Sequence, residues 1–193
     1  MGYTTDFYGH FTLDKPLTPE HAAYLKAFNE TRRMKRDASK TSKLPDTRRE
    51  AVKLPIGNDA EYYVGSVDDG NHGQGKEMFG ARDADIVDFN SPPSGQPGLW
   101  CGWTVADAEG DSISDRDANP TRPAQSIVWD GGEKFYEYVK WLEYLIEHFL
   151  KPWGYKLNGD VTWQGEESDD RGMIRVTDNK VKTGQGRLEY DFG

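Results

Sequence analysis

The chain has 193 residues, 35% of them hydrophobic and 30% charged, with a formal net charge of −9, and this size suits one domain. Its lone cysteine, Cys101, excludes an internal disulfide framework. No apolar run reaches membrane-spanning length and residues 1–6 show no basic and apolar leader, so no membrane partner is expected and the expected compartment is cytoplasmic.

Tyr3, Thr5, Phe7, Phe11 and Leu13 alternate with Thr4, Asp6, His10 and Thr12, the period of a half-buried strand. Gly9, on the apolar side, predicts a bulge or a close backbone approach. Thr18-Pro19-Glu20 opens a helix with a hydroxyl cap, a proline at the first helical position and an acid at the positive end. Tyr24, Leu25 and Phe28 form its stripe with Ala22. It runs out among Arg32, Arg33, Lys35 and Arg36, cations that suit a helix C-terminus. Residues 38–97 have poor periodicity and are expected to be irregular, with a short strand at Glu61-Tyr62-Tyr63-Val64 and an obligatory loop at the proline- and glycine-rich 91–98.

Regularity returns where Leu99, Cys101, Trp103 and Val105 share one strand face. Ser126-Ile127-Val128-Trp129 should pair back beside it. Asp130-Gly131-Gly132-Glu133 has the spacing of a capping box. Phe135, Tyr138, Val139, Leu142, Leu145, Ile146, Phe149 and Leu150 then trace one stripe of a long helix, stopped by Lys151-Pro152-Trp153-Gly154. Two further strands alternate through Tyr155, Leu157, Val161 and Trp163, and through Ile174 and Val176, with Asp178-Asn179 turning toward Val181. The order is strand, helix, strand, strand, helix, strand, strand. One wet sheet face and two amphipathic helices for the other predict a two-layer α+β sandwich with a mainly antiparallel sheet and helices on one face. A ferredoxin-like arrangement is one such solution. One domain is expected over 1–181, with 182–193 a glycine-rich tail that frays.

Nine Lys or Arg against three acids lie between Arg32 and Lys53, a stretch of +6 in an acidic chain. It reads as a solvated loop, or as an anion site through Arg32, Arg33 and Arg36. Gly70-Asn71-His72-Gly73-Gln74-Gly75-Lys76-Glu77 has phosphate-loop spacing, with Lys76 and His72 as candidate ligand contacts. Glu77 stands where the metal-binding hydroxyl belongs, and no convincing helix follows. Asp160, Glu166, Glu167, Asp169 and Asp170 cluster without a cation-loop spacing, and the four histidines are scattered, so no metal or cofactor is expected. Cys101, between apolar neighbours, reads as a buried thiol. Aromatics are in surplus. Tyr144 projects opposite the helix stripe, Trp141 lies off it, and Trp100 falls opposite Trp103. These three are candidates for an interface or a ligand surface, unless the middle segment covers them.

The phrases Ser-Pro-Pro-Ser-Gly-Gln-Pro-Gly-Leu-Trp-Cys (91–101), Trp-Asp-Gly-Gly-Glu-Lys-Phe-Tyr (129–136), Trp-Leu-Glu-Tyr-Leu-Ile (141–146) and Pro-Trp-Gly-Tyr-Lys-Leu-Asn-Gly (152–159) resemble a family of uncharacterised proteins from bacteria, prophages and phages. The resemblance spans nearly the whole chain and carries no activity. It implies an accessory role in which a host or phage protein, or a small ligand, is bound.

The expectation is therefore a non-enzymatic binding protein, a phage or prophage accessory factor acting on a host protein. A second reading is a binder of a nucleotide or other phosphorylated ligand, using the basic run, the glycine loop and stacking on Trp100. A third, an acidic mimic of nucleic acid, conflicts with the +6 stretch. Direct nucleic-acid binding through 32–53 has no reading motif behind it.

Overall fold

Alternation makes the first strand. β1 (Thr5–Leu13) buries Thr5, Phe7, Phe11 and Leu13 and exposes Asp6, Tyr8 and Thr12. The computed structural model describes residues 2–65, 84–107 and 124–186. After β1 come α1 (Pro19–Glu30), β2 (Lys35–Arg36), α2 (Ala38–Thr41), α3 (Thr47–Ala51), a single 3-10 turn (Asn58–Ala60), β3 (Ile86–Asp88), β4 (Trp103–Asp107) and β5 (Ala124–Trp129). Then follow α4 (Tyr138–Leu145), a π turn (Ile146–Leu150), β6 (Leu157–Gly165), β7 (Arg171–Thr177) and β8 (Lys180–Gln185). The fold is α+β. Its main sheet has the order β4-β5-β1-β6-β7-β8, with β1 antiparallel to β5 and β6 and with β7 antiparallel to β6 and β8. The strands β1, β4, β5 and β6 follow the split β-α-β spatial order, extended by β7 and β8. The chain divides into two compact units, residues 1–16 with 105–193, and residues 17–104.

In the first unit, α4 covers the sheet face that carries Phe7. The Tyr138 ring meets Phe7 edge-on at 4.9 Å and Trp163 at 5.8 Å. Phe11, Leu13, Ile127, Leu142, Leu157, Val161 and Ile174 are buried to 1% exposure or less. Each such side chain contributes about 1.5–3 kcal/mol by leaving water. Gly9 is a close approach, as its place on the apolar side predicts. Its φ is +102°, and an added Cβ would sit 2.8 Å from the Asp160 carbonyl.

The helix after β5 starts later than the capping-box spacing predicts. Asp130 accepts instead from the Gly132 N–H at 2.8 Å, which bends the chain into an Asx turn. Lys134 and Glu137 then take φ of +61° and +55°, and helical geometry begins only at Tyr138. This turn brings Phe135 into the core, 5.9 Å from the Phe7 ring. After Leu145 the helix widens into the π turn, where the Lys151 N–H reaches the Ile146 carbonyl at 2.9 Å.

The C-terminal strand also differs from expectation. Residues 182–185 belong to β8 instead of a frayed tail, while 187–193 lie outside the described residues. Asp178 and Asn179 turn with φ of +46° and +66°, the signs a two-residue hairpin needs. The Asn179 side chain accepts from the Leu157 N–H at 2.6 Å and donates to the Tyr155 carbonyl at 2.8 Å, which fixes the hairpin.

In the second unit, Thr18 caps α1 by accepting from the His21 N–H at 3.2 Å. The helix ends at Glu30 with no basic residue in its last turn, so the basic run does not serve its C-terminus. Residues 38–97 are more regular than their periodicity suggests, because α2 and α3 have four and five residues, too short for a repeating stripe. The expected strand at 61–64 does not form. The Glu61 and Tyr63 carbonyls accept from an arginine instead of a ladder.

Candidate functional site

Four residues from four strands line up across the open face of the sheet. Tyr8 pairs with Thr162, Thr162 with Met173, and Met173 with Gly184. Directly opposed residues share a face, so this row lies on the side away from Phe7 and α4. It forms the floor of a groove of about 540 Å³, to which Gln164, Arg171 and Gly186 also contribute. With strands about 4.8 Å apart, the row is roughly 14 Å long. Tyr8 closes one end and is 61% exposed. At the other end Gly184 leaves the groove open, since an added Cβ there would meet nothing within 4 Å.

Polar rows flank the floor. On one side His10, Asp160, Arg175 and Lys182 are in register. Arg175 donates from Nε and Nη2 to the two Asp160 oxygens, each at 2.7 Å. Those bonds hold the Asp160 carboxyl below the usual carboxylate range. On the other side lie Asp6, Gln164 and Arg171. Arg171 donates from Nε to the Ser168 carbonyl at 2.8 Å, and the Gln164 amide donates to the Glu167 carbonyl at 2.9 Å. Both flanks are thus held in place by hydrogen bonds. The groove offers an aromatic wall, a polarizable methionine floor and cations on its rim, which suits binding a partly apolar, acidic group.

The residues singled out from the sequence fare differently. Trp141 and Tyr144 are not surface aromatics: they are 0% and 5% exposed. Trp141, Leu142, Tyr144 and Leu145 are all buried along α4, and a helix apolar on more than one side is a buried helix. Tyr144 stacks on His148 at 4.0 Å and meets Trp141 edge-on at 5.6 Å. Arg33 and Arg36 are not ligand contacts, being 2% and 4% exposed. Arg33 donates to the Tyr63 carbonyl at 2.8 Å, the Glu61 carbonyl at 2.5 Å and Gln96 Oε1 at 3.2 Å. Arg36 is paired with Asp85 at 2.7 Å. Short irregular segments leave carbonyls without a ladder, and a guanidinium with five donors satisfies several of them. The basic run is therefore partly internal framework.

Arg32 and Trp100 do come together. The Arg32 guanidinium lies 4.2 Å from the Phe89 ring and 5.8 Å from that of Trp100, which is 43% exposed. Arg32 Nε also donates to the Phe89 carbonyl at 3.2 Å. His72, Lys76 and the rest of the glycine loop lie outside the described residues. Cys101 is buried, with its Sγ 3.6 Å from the Trp103 carbonyl. The acidic residues near the last hairpin are engaged elsewhere: Asp170 accepts from the Tyr3 hydroxyl at 2.6 Å and Glu166 from the Thr4 N–H at 2.7 Å. Among the described residues no group of three His, Cys, Asp or Glu side chains could hold a metal ion.

The groove went unread in the sequence, although one signal was there. Tyr8 is an aromatic in the polar register of β1, among Asp6, His10 and Thr12. Comparison with family models, curated proteins and solved structures gives no match to this chain.

Proposed function

We propose that the chain is a binding protein whose recognition surface is the open face of the sheet. The observation that carries this reading is the in-register row Tyr8–Thr162–Met173–Gly184, which lines an open groove with an exposed aromatic and a half-buried methionine and leaves room for a ligand side chain. The resemblance to phage and prophage proteins supports a protein of the host cell as the partner. The test is affinity capture from bacterial lysate with the wild type and with the pair Tyr8→Ser, Met173→Glu, both checked for folding by circular dichroism. A protein held by the wild type and released by the pair is the expected result. Equal capture by both, or capture by neither, overturns the reading.

A second reading has one observation in its favour. Arg32 and the exposed Trp100 form a cation–π pair beside Phe89, a surface on which a base or ring could stack with its phosphate near the guanidinium. Thermal shift with nucleotides should then raise the melting temperature of the wild type and not that of Trp100→Ala. No shift at millimolar nucleotide retires it.

A further inference from the structure

The groove opens onto the last strand of the sheet. β8 stands at the end of the strand order, and no strand among the described residues pairs with its outer edge. Gly186 N–H donates to the Arg171 carbonyl at 2.8 Å, which makes 171/186 a hydrogen-bonded pair. The register then makes 173/184, 175/182 and 177/180 hydrogen-bonded pairs as well. The intervening residues Val181, Thr183 and Gln185 therefore turn their N–H and C=O groups outward, three donors and three acceptors on one edge.

Side chains on that edge are specific in kind. Lys180, Lys182 and Gly184 lie on the open face and are exposed. Edge lysines discourage indiscriminate strand pairing, and an acidic strand removes that obstacle by neutralising them. Opposite Gly184 an incoming residue would sit in a non-hydrogen-bonded pair, where side chains approach most closely. The space over Gly184 is empty and leads to Met173.

We propose that the partner adds a strand to β8, with acidic side chains opposite Lys180 and Lys182 and one large aromatic opposite Gly184, lying over the glycine onto Met173. This rests on the open face being the recognition surface. The backbone edge supplies the affinity, and the lysines and the glycine gap supply the selection. In a chain of net charge −9, an acidic segment finds a basic strand here.

The test uses the full chain and two synthetic peptides, Thr-Trp-Thr-Glu-Val-Glu for antiparallel addition and Glu-Val-Glu-Thr-Trp-Thr for parallel addition. One of them should bind and slow amide exchange at Val181, Thr183 and Gln185, while Lys182 and Gly184 stay protected throughout. Thr183→Pro removes an outward N–H that β7 does not use, so the sheet persists. It should weaken binding at least about tenfold, as should the pair Lys180→Glu, Lys182→Glu. Peptide binding with unchanged exchange at those three amides, or no binding by either peptide, overturns strand addition. If a lysate partner is kept by Thr183→Pro but lost by Tyr8→Ser, Met173→Glu, the open face stands and strand addition falls. If it survives both, the two readings fall together.

Discussion

Asp46 carries the sharpest stability prediction. It is fully buried at the start of α3, and its Oδ2 accepts from Arg49 Nε at 2.8 Å and from the Val64 N–H at 3.4 Å. Its Oδ1 has no hydrogen-bond partner among the described residues. Arg49 alone would hold the carboxyl low, but desolvation outweighs it and pushes Asp46 from the usual 3.8 up to about 6. The folded state thus keeps a proton that the unfolded chain has already released. The group's contribution is full below about pH 4, falls as pH rises, and is gone above about pH 6. A rise from 3.8 to about 6 corresponds to about 3 kcal/mol. Asp37, Asp59, Asp88 and Asp160 have the opposite sign: hydrogen bonds lower each of them, so their contribution is present above about pH 4 and lost below it. Asp46→Asn separates the two effects, because it leaves those four unchanged. Urea unfolding followed by tryptophan fluorescence at pH 4, 5, 6 and 7 should show the variant gaining on the wild type by about 2.4 kcal/mol across the series, most of the full range. A difference that stays constant with pH, or a wild type that gains on the variant as pH rises, would refute the assignment.

Asp85→Ala strands the Arg36 guanidinium and takes an acceptor from the Thr41 hydroxyl at 2.9 Å, so it should cost about 3–5 kcal/mol in denaturant unfolding. Arg36→Met with Asp85→Leu, which removes both charges, should cost clearly less. Gly9→Ala forces a side chain to a φ of +102° and into the Asp160 carbonyl, and should cost on the order of 2 kcal/mol, read as a lower melting temperature. Trp141→Ala, in the core, should cost about 3–5 kcal/mol, while Tyr8→Ser, at the surface, should stay within about 0.5 kcal/mol in the same melts.

What the sequence disclosed was local. The alternation in β1, β6 and β7 and the cap of α1 depend on neighbours two or three residues away, and the structure has them where the pattern puts them. The capping-box spacing misled because an Asx turn can begin with the same aspartate: both use the Asp130 carboxylate, and only the acceptor's choice of N–H separates them. Arg33 and Arg36 misled for a different reason. Their partners are the carbonyls of 61 and 63 and the carboxylate of Asp85, which no local spacing reveals. The burial of Trp141 and Tyr144 was legible after all, since a helix with apolar residues on several sides needs cover on several sides.

The groove could not be read in this way because it is a product of register. Tyr8 is far in the chain from Thr162, Met173 and Gly184, and only the pairing of four strands sets all four in one row. That pairing is fixed at two places. Gly9 and Gly159 lie where the β1 and β6 backbones press closest, each with an added Cβ 2.8 Å from a carbonyl of the other strand. The Asp178-Asn179 turn sets β7 against β8, and the Asn179 side chain anchors that turn to the Tyr155 and Leu157 backbone. A slip of one residue at either place would send every side chain of the slipped strand to the other face. Val176 and Ile174 would then leave the core, so burial enforces the register, and the register in turn puts Tyr8 and Met173 in one row on the wet face, on either side of Thr162. The hydrophobic layer that stabilises the sheet is in this sense also what assembles the row on its far side.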